Sequence, residues 1–144
     1  MNSKAAQLGM NNTVFVNPTG LEEDPENCSG KVPCQYSTAL DVAIMSRYLV
    51  NRWPEVTKIS SQQYVYLEKT PFHQDYEMYS GINLLTTYPG VMGLKTGYTP
   101  EAGLTLVTLA KKNNHEVLGV LLGAVDRRDD AKAMLDYSFN KLSN

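Results

Sequence analysis

The chain has 144 residues, of which 42% are hydrophobic and 19% are charged, and its formal net charge is −2. These values are typical of one globular domain or a part of one, and no basic excess points to nucleic acid or to an acidic membrane surface. No apolar run approaches the roughly 18 residues of a membrane-spanning helix. The opening Met1-Asn2-Ser3-Lys4 has no signal-peptide pattern, so any export signal is expected on a part outside this chain.

The first half is predicted to alternate helices with extended and looped segments. Gly9 is a suitable C-cap for the first helix, and Trp53-Pro54 ends the second, which Ser37 or Thr38 can cap. Residues 69–83 are polar and are predicted to be irregular. The other predicted elements are a helix over 2–8, an extended run over 13–16, a turn over 17–20, a polar loop over 22–35, a helix from about 37 to 53 and a strand over 62–67.

The second half is predicted to form three strands in series and a final helix. The strands cover about 91–98, 104–109 and 117–122, and the helix covers about 127–142. Asn113-Asn114 is a good tight-turn pair between the last two strands, because Asn tolerates positive φ. The second and third strands are apolar at nearly every position, so both of their faces are expected to be covered. The predicted architecture is therefore α+β, an antiparallel sheet with helices packed on it.

Two further groups of residues bear on redox state and metals. Cys28 and Cys34 lie close together in the polar loop and could form a local disulfide or be two free thiols; both alternatives stay open. His73 and Asp75 have the spacing of a partial metal site, but no third ligand is near, so a surface loop is favoured and no metal or cofactor is expected.

The segment Gly90–Thr99 contains the triplet Lys95-Thr96-Gly97 on a predicted strand. K-T-G is one of the motifs of penicillin-binding proteins and class A β-lactamases. A triplet this short also occurs by chance, as an ordinary strand lysine followed by a turn glycine. The sequence around the triplet decides between these alternatives.

Five segments of the sequence resemble segments of the low-molecular-mass D-alanyl-D-alanine carboxypeptidases and occur in the same order as in that family. Its members are serine penicillin-binding enzymes of cell-wall synthesis. The resemblance covers nearly the whole chain. The blocks are Met1–Met10 (M-N-x-K-A-x-x-L-G-M), Thr13–Leu21 (T-x-F-x-N-P-x-G-L), Tyr36–Ala43 (Y-S-T-A-x-D-x-A), Tyr88–Gly97 (Y-P-G-V-x-G-L-K-T-G) and Leu135–Phe139 (L-D-Y-x-F).

The resemblance implies a β-lactamase/DD-peptidase-like fold, of which residues 1–144 would be the C-terminal portion of a single catalytic domain. The family's S-x-x-K nucleophile motif and its S-x-N motif would then precede this chain. Ser138-Phe139-Asn140-Lys141 matches both strings literally, but it follows K-T-G on an amphipathic helix and is interpreted as coincidence. The chain alone is therefore expected to be inactive.

The resemblance also implies roles for individual residues. Lys95 would be the catalytic lysine of the third motif, and Thr96, Gly97 and the Tyr98 backbone would line the substrate edge, with the Tyr98 N–H as an oxyanion-hole donor. Arg127 falls where the family has an arginine that binds the terminal carboxylate. The adjacent Arg128 could take that role instead. Two cations at a helix N-terminus oppose the macrodipole, which disfavours a purely structural purpose for the pair.

The implied function is removal of the terminal D-Ala from peptidoglycan stem peptides through an acyl-enzyme, with β-lactams acylating the same serine, in the cell envelope. The expected partners are stem peptide, β-lactams and the missing N-terminal half, with possible self-association of the chain and no nucleic acid. Alternatives are a β-lactamase or endopeptidase of the same fold, or a non-catalytic fragment that binds wall peptide. Met92 departs from the family, which usually has an aspartate there, and this puts the local hydrogen bonding in question.

Overall fold

A computed structural model describes residues 1–21 and 34–143. Its elements are, in order, α1 (Asn2–Leu8), α2 (Ala39–Arg52), α3 (Glu55–Ser60), β1 (Tyr64–Leu67), β2 (Tyr76–Tyr79), α4 (Leu84–Thr87), β3 (Val91–Thr99), β4 (Gly103–Lys112), β5 (His115–Ala124) and α5 (Arg127–Leu142). None of the helices in these two ranges is both long and apolar enough to cross a bilayer.

Strands β3, β4 and β5 form an antiparallel sheet in that order. Asn113 and Asn114 have φ values of 49° and 62° in the turn between β4 and β5, so the predicted tight turn is confirmed. In the register, Thr96 lies opposite Leu106. Because β3 pairs only with β4 in the described sheet, the K-T-G triplet lies on an edge strand.

One face of the sheet is covered by α5. Leu106 and Ala110 of β4 are buried against Ala131, Leu135 and Phe139 of that helix. The other members of this cluster are Ile82, Leu84 and Val91. Helix α2 also packs against β5 and β4.

The sequence predicts that both faces are covered in the two strands that correspond to β4 and β5. This prediction is confirmed for β4 and is wrong at one end of β5. Leu109 is buried, although strand alternation places it on the face opposite Leu106. In contrast, the side chain of Leu122 is 43% exposed. Apolar composition alone therefore overestimated the cover near the end of β5.

The predicted helices of the first half are confirmed, and their caps are resolved. Gly9 ends α1 with a φ of 79°. The hydroxyl of Thr38, and not that of Ser37, caps α2 by accepting a hydrogen bond from the backbone N–H of Asp41 at 3.1 Å. Trp53 is the C-cap of α2. The sequence prediction omitted α3, a six-residue helix that begins directly after Pro54.

The prediction that residues 69–83 are irregular is wrong for residues 76–79, which form β2. Strand β2 pairs with β1, with Tyr64 opposite Tyr79 and Leu67 opposite Tyr76. All four β2 residues are exposed, so the strand has no buried face and leaves no alternation of apolar and polar residues in the sequence. The rings of Tyr64 and Tyr79 lie 4.9 Å apart across the strands and contribute cross-strand packing instead.

Of the two cysteines, Cys34 is disulfide-bonded. Cys28 lies outside the described residues, as does most of the polar loop predicted over 22–35.

Candidate active site

The K-T-G triplet lies on β3, which pairs with β4 along one side. Lys95 and Tyr98 are exposed, whereas Thr96 and Gly97 are half-buried. A Cβ on Gly97 would lie 2.6 Å from the hydroxyl of Thr105 on β4. A side chain at position 97 would therefore force the Thr105 side chain to move, which favours glycine here.

Lys95 lies between two clefts. One, of about 300 Å³, separates β3 from the β1–β2 hairpin and is also lined by Leu94 and Thr96. The other, of about 500 Å³, lies between β3 and the segments around Phe15 and Tyr36. The Lys95 ammonium donates to the carbonyl of Thr96, which keeps its positive charge beside the strand that both clefts share.

The wall of the larger cleft is held by a buried carboxylate. Asp41, only 2% exposed, accepts hydrogen bonds from the backbone N–H of Asn12 at 2.8 Å and from the hydroxyl of Thr13 at 2.7 Å. A buried charge needs such donors, because unpaired burial is costly. Thr13 also lies 2.8 Å from the Ser37 hydroxyl. Asp41 was not among the predicted site residues, although its place in the Y-S-T-A-x-D block was the available signal.

The two arginines at the start of α5 have side chains in different environments. Arg127 is half-buried, and its Nη1 lies 3.4 Å from the carbonyl oxygen of Gly97 and 3.5 Å from that of Thr105. Arg128 is exposed and forms an ion pair with Asp129 at 3.0 Å. The side chain of Arg127 thus reaches the K-T-G strand, while Arg128 forms its ion pair within its own helix.

Acidic residues compensate the charge of the arginine pair at this helix end. The Asp126 carboxylate caps α5 by accepting from the backbone N–H groups of Arg128 and Asp129, each at 3.0 Å. These hydrogen bonds, chiefly the one from Asp129, lower the pKa of Asp126 below its usual value, and the charges of Arg128 and Lys132 act in the same direction. With an acidic cap and Asp129 and Asp130 in the first turn, the two cations are compatible with the macrodipole.

The literal S-x-x-K match has no catalytic geometry. The hydroxyl of Ser138 donates to the carbonyl of Met134 at 2.8 Å within α5. The Lys141 ammonium lies 5.8 Å from the centre of the Tyr137 ring. The serine and the lysine therefore have different partners, which supports the interpretation of this match as coincidence.

The backbone at Met92 is anchored from α3. The Ser60 hydroxyl donates to the Met92 carbonyl at 2.9 Å, and a Cβ on Gly93, whose φ is 139°, would lie 2.2 Å from that hydroxyl. Local hydrogen bonding next to the motif is thus supplied by α3, without a carboxylate at position 92. Within residues 1–21 and 34–143, no three His, Cys, Asp or Glu side chains are grouped as metal ligands would be.

Most of the chain is similar to proteins of one family. Residues 1–126 match the peptidase S11 family of D-alanyl-D-alanine carboxypeptidases. The D-alanyl-D-alanine carboxypeptidase DacF of Bacillus subtilis is 37% identical over 98% of this chain, and the DacA protein of Haemophilus influenzae is 31% identical over 96%. The chain spans about a third of the length of these relatives, 34% and 33%.

Solved structures show the same fold. Penicillin-binding protein D2 of Listeria monocytogenes, in its cefotaxime-bound form, matches with a TM-score of 0.81 and 31% identity over 96% of this chain. The DD-transpeptidase of Streptomyces K15 matches with a TM-score of 0.82 and 25% identity over 96%. The chain covers 53% and 52% of those two proteins. The DD-peptidase-like α+β fold is thereby confirmed, and the chain belongs to the serine-type D-alanyl-D-alanine carboxypeptidase family.

Proposed function

We propose that this chain forms the K-T-G side of the active site in a serine D-Ala-D-Ala carboxypeptidase, as the C-terminal portion of a single catalytic domain. The whole enzyme removes the terminal D-Ala from peptidoglycan stem peptides and is acylated by penicillins. Support comes from the family match over residues 1–126 and from the solved complexes of the Listeria protein with cefotaxime and ampicillin.

The observation that carries the proposal is the convergence of polar groups on one strand edge. The Lys95 ammonium lies beside Thr96, and the Arg127 guanidinium lies within 3.4 Å of the Gly97 carbonyl oxygen. Two cations that contact the carbonyl oxygens of consecutive residues, Thr96 and Gly97, suit a ligand that ends in a carboxylate. The sequence separation of 32 residues between Lys95 and Arg127 argues against a local accident of one element.

The proposed chemistry assigns each group a task. A serine from the remaining half of the domain attacks the carbonyl of the penultimate D-Ala, the terminal D-Ala leaves as the free amine, and water then hydrolyses the ester. Lys95 stabilises developing negative charge, the Tyr98 N–H donates to the oxyanion, and Arg127 binds the terminal carboxylate. Thr96 and Gly97 line the path of the peptide along β3. The site of action proposed for the whole enzyme is the cell envelope.

The test uses an enzyme in which this chain is joined to the remaining half of the domain. We expect release of D-Ala from a peptide ending in D-Ala-D-Ala, and a stable adduct with fluorescent penicillin on a denaturing gel. Rapid penicillin hydrolysis without D-Ala release would instead support the β-lactamase alternative. The 144-residue chain by itself is the negative control. If the 144-residue chain gives a labelled band, and Ser138→Ala abolishes that band, the interpretation of the S-x-x-K match at Ser138 and Lys141 as coincidence is wrong.

A further inference from the structure

The segment Ser80–Ile82, which joins β2 to α4, lies across β3 at the K-T-G triplet and is held at both ends. The backbone N–H of Ser80 donates to the carbonyl of Gln63 at 2.9 Å. The backbone N–H of Ile82 donates to the Ser80 hydroxyl at 3.2 Å, and the Ile82 side chain is buried in the core. The position of the residue between them, Gly81, is therefore set by its neighbours.

Gly81 directly faces the side chain of Thr96. A Cβ built on Gly81 would lie 3.3 Å from the Thr96 hydroxyl, and no other atom outside its chain neighbours would lie within 4 Å of it. The φ of Gly81 is outside the left-handed region, so its backbone conformation is open to any residue. Backbone conformation does not require glycine at this position, and a Cβ there would crowd one group, the Thr96 hydroxyl.

The hydroxyl of Thr96 is available for a ligand. Thr96 is half-buried beside the smaller cleft, and its carbonyl already accepts from Lys95. In the part of the chain that the structure describes, its hydroxyl has no hydrogen-bond partner. A polar group that is partly removed from water and left without a partner gains most from binding one.

We propose that Gly81 is a positioning residue for substrate binding, acting through Thr96. The absence of a side chain at position 81 leaves the Thr96 hydroxyl room to donate to the carboxylate or amide of a bound D-Ala-D-Ala peptide. A methyl group at position 81 displaces the hydroxyl by a few tenths of an ångström, because threonine is stiff at χ1 and cannot turn away freely. This inference rests on the proposed function and adds a residue to it.

The experiment measures the Kd of an acetylated Lys-D-Ala-D-Ala peptide for the 144-residue chain by NMR titration. We expect Thr96→Val to weaken binding about tenfold and Gly81→Ala about fivefold, as fits a lost or misaligned hydrogen bond. The double variant should bind within about twofold of Thr96→Val, because Gly81 acts through the hydroxyl. Serine lacks the methyl group that restricts χ1, so Gly81→Ala with Thr96→Ser should recover most of the loss.

A spectroscopic measurement separates this role from a general structural one. Gly81→Ala should move the methyl resonance of Thr96 in the free chain, and Asn83→Ala should not. Asn83 is two residues away, and its side chain forms no capping hydrogen bond to α4, which makes it a matched control for both binding and the resonance.

The outcomes separate the two proposals. If the wild-type chain binds no peptide, this inference is overturned, whereas the proposed function is decided separately by D-Ala release from the joined enzyme. If the wild type binds and Gly81→Ala binds equally well, only the role of Gly81 is overturned. A fall in Tm of more than about 5 °C in Gly81→Ala would show that the glycine serves the fold and would also overturn the inference.

Discussion

At the scale of single residues, Thr108 is the polar side chain whose burial the structure does not compensate. It lies on β4 with no exposed surface, and its hydroxyl has no hydrogen-bond partner among the described residues. Thr108→Val keeps the shape and removes the buried hydroxyl, so we expect the free energy of unfolding to rise by about 1 kcal/mol. Urea denaturation measures this change.

The control for that prediction is Thr108→Ser, which keeps the hydroxyl and removes the methyl group. The Cγ2 atom of Thr108 packs near Gly119 in the wild type, so we expect Thr108→Ser to be less stable than the wild type by about 1 kcal/mol. Destabilisation by Thr108→Val would instead reveal a hydrogen bond formed by the hydroxyl.

The two arginines at the start of α5 make the second prediction at this scale. In the joined enzyme described above, Arg127→Ala should lower kcat/KM for D-Ala-D-Ala peptides by one to two decades, since a hydrogen bond to a charged group contributes about 1.5–3 kcal/mol. Acylation by β-lactams without a matching carboxylate contact should be spared. Lys95→Ala should impair both reactions, because its charge acts on the transition state.

Arg128→Ala is the matched control, because Arg128 is exposed and paired with Asp129. The ratio of peptide to penicillin acylation rates is measured in each variant. Loss of peptide turnover in Arg128→Ala but not in Arg127→Ala would transfer the carboxylate role to Arg128. If neither variant loses turnover, the carboxylate binds elsewhere.

At the scale of elements, one hydrogen bond ties the turn before β3 to the last helix. The hydroxyl of Tyr88 donates to the carboxylate of Asp136 on α5 at 2.7 Å. Burial, with the hydrogen bond and the charge of Asp136, raises the pKa of Tyr88 to about 12. Tyr88→Phe removes this link, and we expect a loss of about 0.5–1 kcal/mol at pH 8.

The pH dependence follows from the direction of that pKa shift. Because the pKa of Tyr88 is higher in the folded state than the ordinary value near 10, its contribution is complete below pH 10 and is lost as pH rises toward 12. The stability difference between wild type and Tyr88→Phe should therefore shrink between about pH 10 and 12 in urea titrations. Tyr137→Phe, at an exposed position on α5, is the control, and an equal effect there would contradict the specific link.

At the scale of the whole molecule, several large apolar side chains of the described residues are largely exposed to water. Val125 and Phe72 are 96% and 95% exposed, and Ile59 and Leu40 are 71% and 70% exposed. Strand β3 also has an edge that pairs with no other strand of the described sheet. Unpaired edges and apolar patches both favour association with other chains.

We therefore expect the isolated 144-residue chain to self-associate. Sedimentation velocity at micromolar concentration should show dimers or larger species, and a hydrophobic dye should bind. Phe72→Ser and Ile59→Ser together should shift the distribution toward the monomer, whereas Tyr137→Ser, on the exposed side of α5, serves as the control. A stable monomer that binds no dye would contradict the prediction.

The sequence by itself was sufficient to predict the features of the structure that depend on residues close together in the chain. The tight turn at Asn113-Asn114, the end of α1 at Gly9 and the last three strands follow from local conformational preference and apolar runs. The five family blocks were also sufficient to identify the family, because their order and spacing form a pattern that chance does not reproduce.

Only the tertiary structure decided what depends on contacts between distant residues. Strand β2 was missed because its side chains are exposed and carry no periodic signal. Adjacent arginines are indistinguishable in a sequence, and the approach of Arg127 to Gly97 follows from how α5 packs on β4 and β5. The clearance between Gly81 and Thr96 is likewise a distance across 15 residues of chain, and such a distance leaves no trace in local pattern because it arises only when the core brings the two segments together.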